Sequence, residues 1–327
     1  QHSVKELLNA GIQPDIIMCR CEKKIEKEAL EKISLFCNVK KESVIPALNA
    51  NSIYEVPSIY SKAGLDSSLL EHLGYDLKKY TLNLEPWDKV LEKISNFNSK
   101  VIIGIVGKYT NLKDSYKSLI EALEHGGIAN NIKVEINWIN AEECESRLIK
   151  NELKNIDGLL IPGGFGYRGI EGKIEAIKYA RQNNIPFFGI CLGMQLAVIE
   201  IARNVINKPD ANSTEFSSTE TPVVSLMTEW INDHKLEKRN LDSDKGGTMR
   251  LGAYKAKLKK GSKISHIYNS NEIIERHRHR YEVNSNFTKE FPKEGFEFTG
   301  MSPDNILPEV LESNNHKWFI GVQFHPE

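Results

Sequence analysis

Phe187-Phe188-Gly189-Ile190-Cys191-Leu192-Gly193-Met194-Gln195 runs a short apolar stretch straight into a segment with helical apolar spacing, and a cysteine stands at the junction. Gly189 and Gly193 flank Cys191 two residues away on each side. That is the glycine pattern of a nucleophile elbow, a strained strand-to-helix turn that excludes neighbouring side chains. Such a turn holds the sulfur at the carboxyl edge of a sheet, where a helix N-terminus favours negative charge. On that ground the thiol is expected to titrate below its ordinary value of roughly 8.5. A free cysteine at a strand end is more commonly a small buried hydrophobe, so further motifs have to carry the reactive reading.

Outward from this junction the chain alternates regularly. Strands are expected at 101–107, 132–139, 158–162 and 186–190, and helices at 114–126, 142–150, 171–183 and 192–205. Alternation of this kind predicts right-handed crossovers and a parallel sheet with helices on both faces. The strands are apolar at successive positions, as doubly covered strands must be. Segments 222–228, 249–258, 296–301 and 317–325 alternate more and are read as antiparallel additions. Upstream, 15–19 reads as a short strand, 25–36 as an amphipathic helix and 56–83 as helical. Glu85-Pro86-Trp87 and the polar stretch 95–100 mark a boundary between domains at 1–95 and 100–327.

Composition narrows the classes. The formal net charge is -1, which gives no case for nucleic acid, and no apolar run approaches the roughly 20 residues that span a bilayer. Five cysteines, at 19, 21, 37, 144 and 191, form neither a disulfide framework nor a zinc ribbon. No metal is expected in this chain, and a reducing cytoplasm is the simplest compartment.

Two further motifs bear on chemistry. Pro162-Gly163-Gly164-Phe165-Gly166-Tyr167-Arg168-Gly169 follows an apolar strand and opens backbone amides to a ligand, as an oxyanion hole requires. A flexible loop or a phosphate-binding turn would share the glycines, although the Lys and Ser/Thr of a phosphate loop are missing. At the carboxyl end, Gly321-Val322-Gln323-Phe324-His325-Pro326-Glu327 ends a strand in two ionisable groups. Residues two apart in an extended chain share a side, so His325 can serve as general base and acid with Glu327 fixing its tautomer.

Together these motifs resemble the class I glutamine amidotransferases with their Cys-His-Glu triad and, within them, the CTP synthase family. The likeness covers essentially the whole chain through Pro162 to Gly172, Asn212 to Phe216, Gly246 to Gly252 and Glu275 to Glu282. It implies an α/β fold with a doubly wound, mostly parallel sheet of the amidotransferase type, preceded by a fragment of an α/β, P-loop-like synthetase domain. It implies glutamine hydrolysis by Cys191, His325 and Glu327, with ammonia used for ATP-dependent amination of UTP to CTP. Glutamine would be held by Gly164, by the turn Leu192, Gly193, Met194 and Gln195, by Glu215 on its α-ammonium and by Arg280 on its α-carboxylate. Gln1 and Lys32 match UTP or CTP contacts, Leu48, Asn49 and Ala50 fall where ATP lies, and Arg168 and Glu171 are candidates for contact with GTP. The implied cofactors of the intact enzyme are ATP and Mg2+, with GTP as allosteric activator, CTP as feedback ligand and a homo-tetramer as the assembly.

The chain departs from that pattern in having no phosphate loop and no upstream acidic cluster, and it stops at Glu327. It is therefore read as part of a longer protein, from which glutaminase chemistry but not complete CTP synthesis is expected. The competing readings are a glutaminase serving another acceptor, a γ-glutamyl hydrolase, and a nucleotide-sensing or assembly module.

Overall fold

The structure is a computed structural model that describes every residue except 81, 109–112, 143–148, 227–228, 233–234, 239–248 and 327. Two compact units divide the chain, Gln1–Phe97 and Asn98–Glu327.

The first unit contains α1 (His2–Asn9), β1 (Ile17–Cys21), α2 (Lys27–Cys37), β2 (Val44–Leu48), α3 (Val56–Lys62), α4 (Leu65–His72) and α5 (Glu85–Ser95). β1 and β2 pair in parallel, Ile17 opposite Val44 and Cys21 opposite Leu48, with α2 as the crossover. Cys37, Val44, Ile45 and Ala47 are its buried apolar residues. Glu85-Pro86-Trp87, read from the sequence as a break, begins α5 instead. A proline in the first turn gives up only an amide that has no helical partner there, and the Trp87 indole anchors the helix by donating to Tyr54 O at 2.6 Å.

The second unit holds β3 (Ser99–Gly107), α6 (Lys117–Asn130), β4 (Ile132–Asn140), α7 (Ile149–Glu152), β5 (Gly158–Ile161), α8 (Ile170–Gln182), β6 (Phe187–Ile190) and α9 (Leu192–Asn204). It continues with β7 (Ala211–Ser213), β8 (Thr221–Leu226), β9 (Glu229–Asn232), β10 (Lys235–Lys238), β11 (Arg250–Leu258), α10 (Lys263–Tyr268), β12 (Glu272–His279), β13 (Tyr281–Val283), β14 (Phe296–Met301), β15 (Pro308–Ser313) and β16 (Phe319–Val322). Nine strands form one sheet in the order β12-β11-β14-β15-β16-β6-β5-β3-β4. β4, β3, β5, β6 and β16 are parallel, and β15, β14, β11 and β12 extend the sheet antiparallel. The expected doubly wound, mostly parallel α/β layer is thus the fold found.

One segment differs from expectation. Residues 317–325 were assigned to the antiparallel extension, but β16 runs parallel to β6 and sits mid-sheet. Phe319, Ile320 and Val322 are fully buried, the burial of a strand covered on both faces. Of the helix expected at 142–150, residues 143–148 lie outside the described residues and α7 begins at Ile149.

Alternate residues feed two apolar layers, as the period of a strand dictates. Leu159, Ile161, Phe187 and Phe319 pack with Ile174, Ile177, Leu196 and Ile199 of α8 and α9. Ile105, Leu160, Ile190, Ile320 and Val322 face the other way with Ile264. α9 is buried from Leu192 to Ala202, and its one carboxylate in that span, Glu200, is met by Arg181 in a two-pronged bond of 2.8 and 2.7 Å. The helix that starts at Cys191 is therefore the centre of the domain, and its packing fixes where the sulfur stands.

Lys173 of α8 is only 2% exposed. Burial, with a smaller contribution from Lys108, lowers its pKa to about 8. The folded chain binds this proton less tightly than the unfolded chain. The cost is therefore present in full below about pH 8 and fades as pH rises to the unfolded lysine value of roughly 10.4. Lys173→Met is expected to raise unfolding stability at pH 7 by about 3 kcal/mol. Urea unfolding should show that gain shrinking through about pH 9 and nearly gone by about pH 10.

Candidate active site

Cys191 ends β6 and caps α9 with φ 53° and ψ -102°, a backbone conformation that side chains rarely adopt and that costs about 1–3 kcal/mol. Its own N–H donates to Val322 O at 2.7 Å and its carbonyl accepts from Gln195 N at 3.2 Å, so the surrounding strand and helix hold the turn. The flanking glycines are required by close backbone approach. A Cβ on Gly193 would lie 2.2 Å from Ile161 O, and one on Gly189 2.7 Å from the Gly193 carbonyl. Gly193→Ala is therefore expected to cost at least about 3 kcal/mol, because the blocking atoms are backbone and cannot rotate away. Thermal unfolding of that variant measures it, and an unchanged midpoint would contradict the packing described.

The sulfur is not in an environment that lowers its pKa. Burial pushes the Cys191 thiol up to about 12, the Leu192 N–H pulls it back, and the Glu282 and Glu215 carboxylates push it further. The sequence expectation of a thiol below 8.5 is corrected. It counted the helix N-terminus, while full burial and two carboxylates outweigh that contribution. Proton removal must accompany attack by this sulfur.

His325 follows β16 and is tied to β12 by its N–H on Arg276 O at 2.8 Å. A Cβ on Gly163 would sit 2.7 Å from His325 Cε1 and 3.6 Å from Cys191 Cβ. The missing side chain thus leaves room at one point for both the imidazole and the Cys191 side chain. Glu327 lies outside the described residues.

Gly164 adjoins the turn, its Cβ direction meeting Leu192 Cδ2 at 3.4 Å. The first amides of α9, on Leu192, Gly193 and Met194, have no helical partner and point out of the N-terminus. Glu215 accepts from Gly166 N at 2.8 Å. Burial raises its carboxyl pKa, against the Gly166 amide, Lys108 and Arg280, which lower it. Among the described residues Arg280 Nε is buried with no hydrogen-bond partner. A carboxylate and a guanidinium that feel each other's charge, the latter with an unmet donor, suit an amino acid's ammonium and carboxylate. The Gln195 side chain does not face outward, since its Nε2 donates to Tyr281 O and Gln323 Oε1.

The remaining sequence candidates are spread. Arg168 forms a two-pronged pair with Glu142 at 2.7 and 3.2 Å, and Glu171 pairs with Arg203 at 2.8 and 3.0 Å. Lys108 braces the glycine loop from outside by donating to Phe165 O and Gly166 O. In the other unit, Gln1 precedes α1 and Lys32 is exposed on α2. Leu48, Asn49 and Ala50 leave β2 at its carboxyl end, the edge where open α/β sheets bind ligands.

Sequence reasoning missed a buried ring of charge behind His325. Arg250 binds Glu309 at 2.7 Å and Glu282 at 3.3 Å. The circle closes through His277 and His279, whose rings meet at 2.8 Å, with Glu309 3.8 Å from His277 and Glu282 3.4 Å from His279. Burial opposes the Arg250 charge, but the two carboxylates outweigh it and raise its pKa. Burial, then Arg250 and the neighbouring histidines, hold His277 neutral. Its only trace in the sequence was the run Arg276 to Arg280, which reads as a solvated cationic strand.

Residues 111–327 match the family model Glutamine amidotransferase class-I, and residues 1–75 match CTP synthase N-terminus. With an elbow cysteine, a histidine beside it and this sheet, the chain belongs to the class I glutamine amidotransferase family. Over its full length it is 53% identical to the CTP synthase of Paramagnetospirillum magneticum and 55% identical to that of Rhodopseudomonas palustris. It spans 60% of the length of each. A solved structure described as Trypanosoma brucei CTPS, glutaminase domain with bound acivicin, is 38% identical. The match covers 69% of this chain and 86% of that one, with a TM-score of 0.61. The resemblance to CTP synthase inferred from separate motifs therefore holds along the whole chain.

Proposed function

We propose that Asn98–Glu327 hydrolyses glutamine to glutamate and ammonia, and that the longer protein uses this ammonia to convert UTP to CTP. The observation that carries the reading is the strained Cys191 turn with His325 beside it across Gly163. Glutamine lies with its ammonium on Glu215 and its carboxylate on Arg280, which puts the side-chain amide at the sulfur. Because the thiol is protonated at neutral pH, His325 takes its proton as sulfur attacks the amide carbon. The Gly164 amide and the neighbouring amides of the α9 turn receive the developing oxyanion. His325 then passes that proton to the leaving nitrogen, and the C–N bond breaks to give ammonia and a glutamyl thioester. Water, deprotonated by His325, attacks the thioester, and the sulfur leaves to recover the thiol. Glu327 orients the imidazole.

The first unit contributes Gln1 and Lys32 to UTP or CTP and Leu48 to Ala50 to ATP in the longer protein. No group of three His, Cys, Asp or Glu among the described residues is placed to hold a metal. GTP acts at Arg168 and Glu171, where binding would compete with the Glu142 and Arg203 pairs.

Ammonia release from glutamine, measured with and without GTP on this chain and on the longer protein, tests the reading. Release that GTP accelerates in the longer protein is expected. No release from either, under either condition, would overturn it.

A further inference from the structure

Gln323, immediately after β16, is fully buried and nothing in the mechanism above uses it. Its backbone N–H donates to Glu309 O at 2.8 Å. Its side-chain Nε2 lies 3.8 Å from Cys191 Sγ, within reach of a hydrogen bond to sulfur.

The direction of that carboxamide follows from its neighbours, each step leaving one choice. Tyr281 O is an acceptor only, so Gln195, 2.8 Å away, must present its NH2 there. The same NH2 group lies 3.3 Å from Gln323 and therefore meets the Gln323 oxygen. With its oxygen so occupied, Gln323 turns its NH2 toward the sulfur. Gln195 is itself fixed on the first turn of α9 by its N–H on Cys191 O, so the chain of amides begins and ends at the nucleophile.

We propose that Gln323 is a hydrogen-bond donor to the nucleophile, aimed by Gln195, whose bond to Cys191 Sγ strengthens as the sulfur takes negative charge. The inference rests on Cys191 being the nucleophile and adds a residue to its reaction. The charged groups that act on the sulfur are Glu282, Glu215 and Arg276; both carboxylates oppose ionisation and Arg276 favours it. Donors must offset the carboxylates at a buried sulfur. The Leu192 amide supplies one, and Gln323 supplies the second. The same bond favours departure of the sulfur when the thioester breaks down.

An apolar residue of similar length at this position would pack without any amide to satisfy. Gln323→Met therefore removes the donor and keeps the volume. Alkylation of Cys191 by iodoacetamide, followed by peptide mass spectrometry from neutral pH to about pH 9.5, reports how readily the sulfur ionises. The expected result is alkylation about tenfold slower across this range, with kcat for glutamine reduced and KM little changed. A folded Gln323→Met protein alkylated at the parent rate would overturn the proposal. Should the variant fail to fold, the parent protein and Cys191→Ala provide the test through the Gln323 side-chain amide resonances. Loss of the sulfur should move one Nε2 proton upfield, and an unmoved resonance would overturn the proposal. Alkylation needs no glutamine turnover. A chain lacking glutaminase activity but showing this dependence on Gln323 would therefore sink the functional reading alone.

Discussion

His325→Asn is expected to lower glutamine hydrolysis by about four to six orders of magnitude with the fold intact. The size follows from the state of the sulfur. A thiol pushed up to about 12 is almost wholly protonated at neutral pH, so attack without an adjacent base starts from a very small thiolate fraction. The base is also the acid that protonates the leaving nitrogen, and its loss affects both halves of the reaction. Asparagine keeps the backbone bond to Arg276 O and fills part of the imidazole space beside Gly163. Steady-state ammonia release together with thermal unfolding separates the two effects. A stable variant within tenfold of the parent rate would remove His325 from the mechanism.

Cys191→Ala should abolish glutamine hydrolysis, by at least about five orders of magnitude, because no other described nucleophile adjoins His325 and Gly164. In the longer protein, amination by added ammonium salts should persist, since the substitution leaves the first unit untouched. Retained glutaminase activity would end the proposal. Loss of the ammonium-dependent reaction would show that the substitution disturbs more than glutamine hydrolysis. The two variants differ in one respect: His325→Asn leaves a nucleophile that alkylating agents still find, and Cys191→Ala does not.

The elbow was legible because its cause is local. Gly189 and Gly193 are needed where a Cβ would come within 2.7 and 2.2 Å of neighbouring backbone atoms, and a two-residue spacing around one cysteine announces that close approach. The alternation from residue 101 onward was legible for a similar reason, since strands covered on both faces must be continuously apolar. The state of the thiol was not. It depends on Glu215 and Glu282, which come from distant segments, and on burial, which no local pattern of charge reveals. The ring of Arg250, Glu282, Glu309, His277 and His279 was hidden for the same reason. Each member looks like an ordinary solvated charge until β11, β12, β13 and β15 bring them together. β16 was misplaced because a strand's partners are set by crossovers, and only the fold shows that it lies between β6 and β15. Gln195 was given to the substrate site by resemblance, through the backbone of its turn, and its side chain faces inward toward Gln323.

Arg280 and Glu215 lie between these cases. Their roles came from resemblance, and the geometry adds a buried donor on Arg280 Nε with no partner among the described residues. Such a donor costs about 1–3 kcal/mol unless a ligand meets it, which favours a carboxylate at that position.

The central claim, that Cys191 takes the glutamyl group from glutamine, is tested most directly by acid-quenching the protein during turnover and examining the Cys191 peptide by mass spectrometry. The account predicts a glutamyl thioester on Cys191 that forms only with glutamine and is absent in Cys191→Ala. Glutamine consumed at the parent rate with no acyl group on that peptide, even when breakdown is slowed, would contradict it.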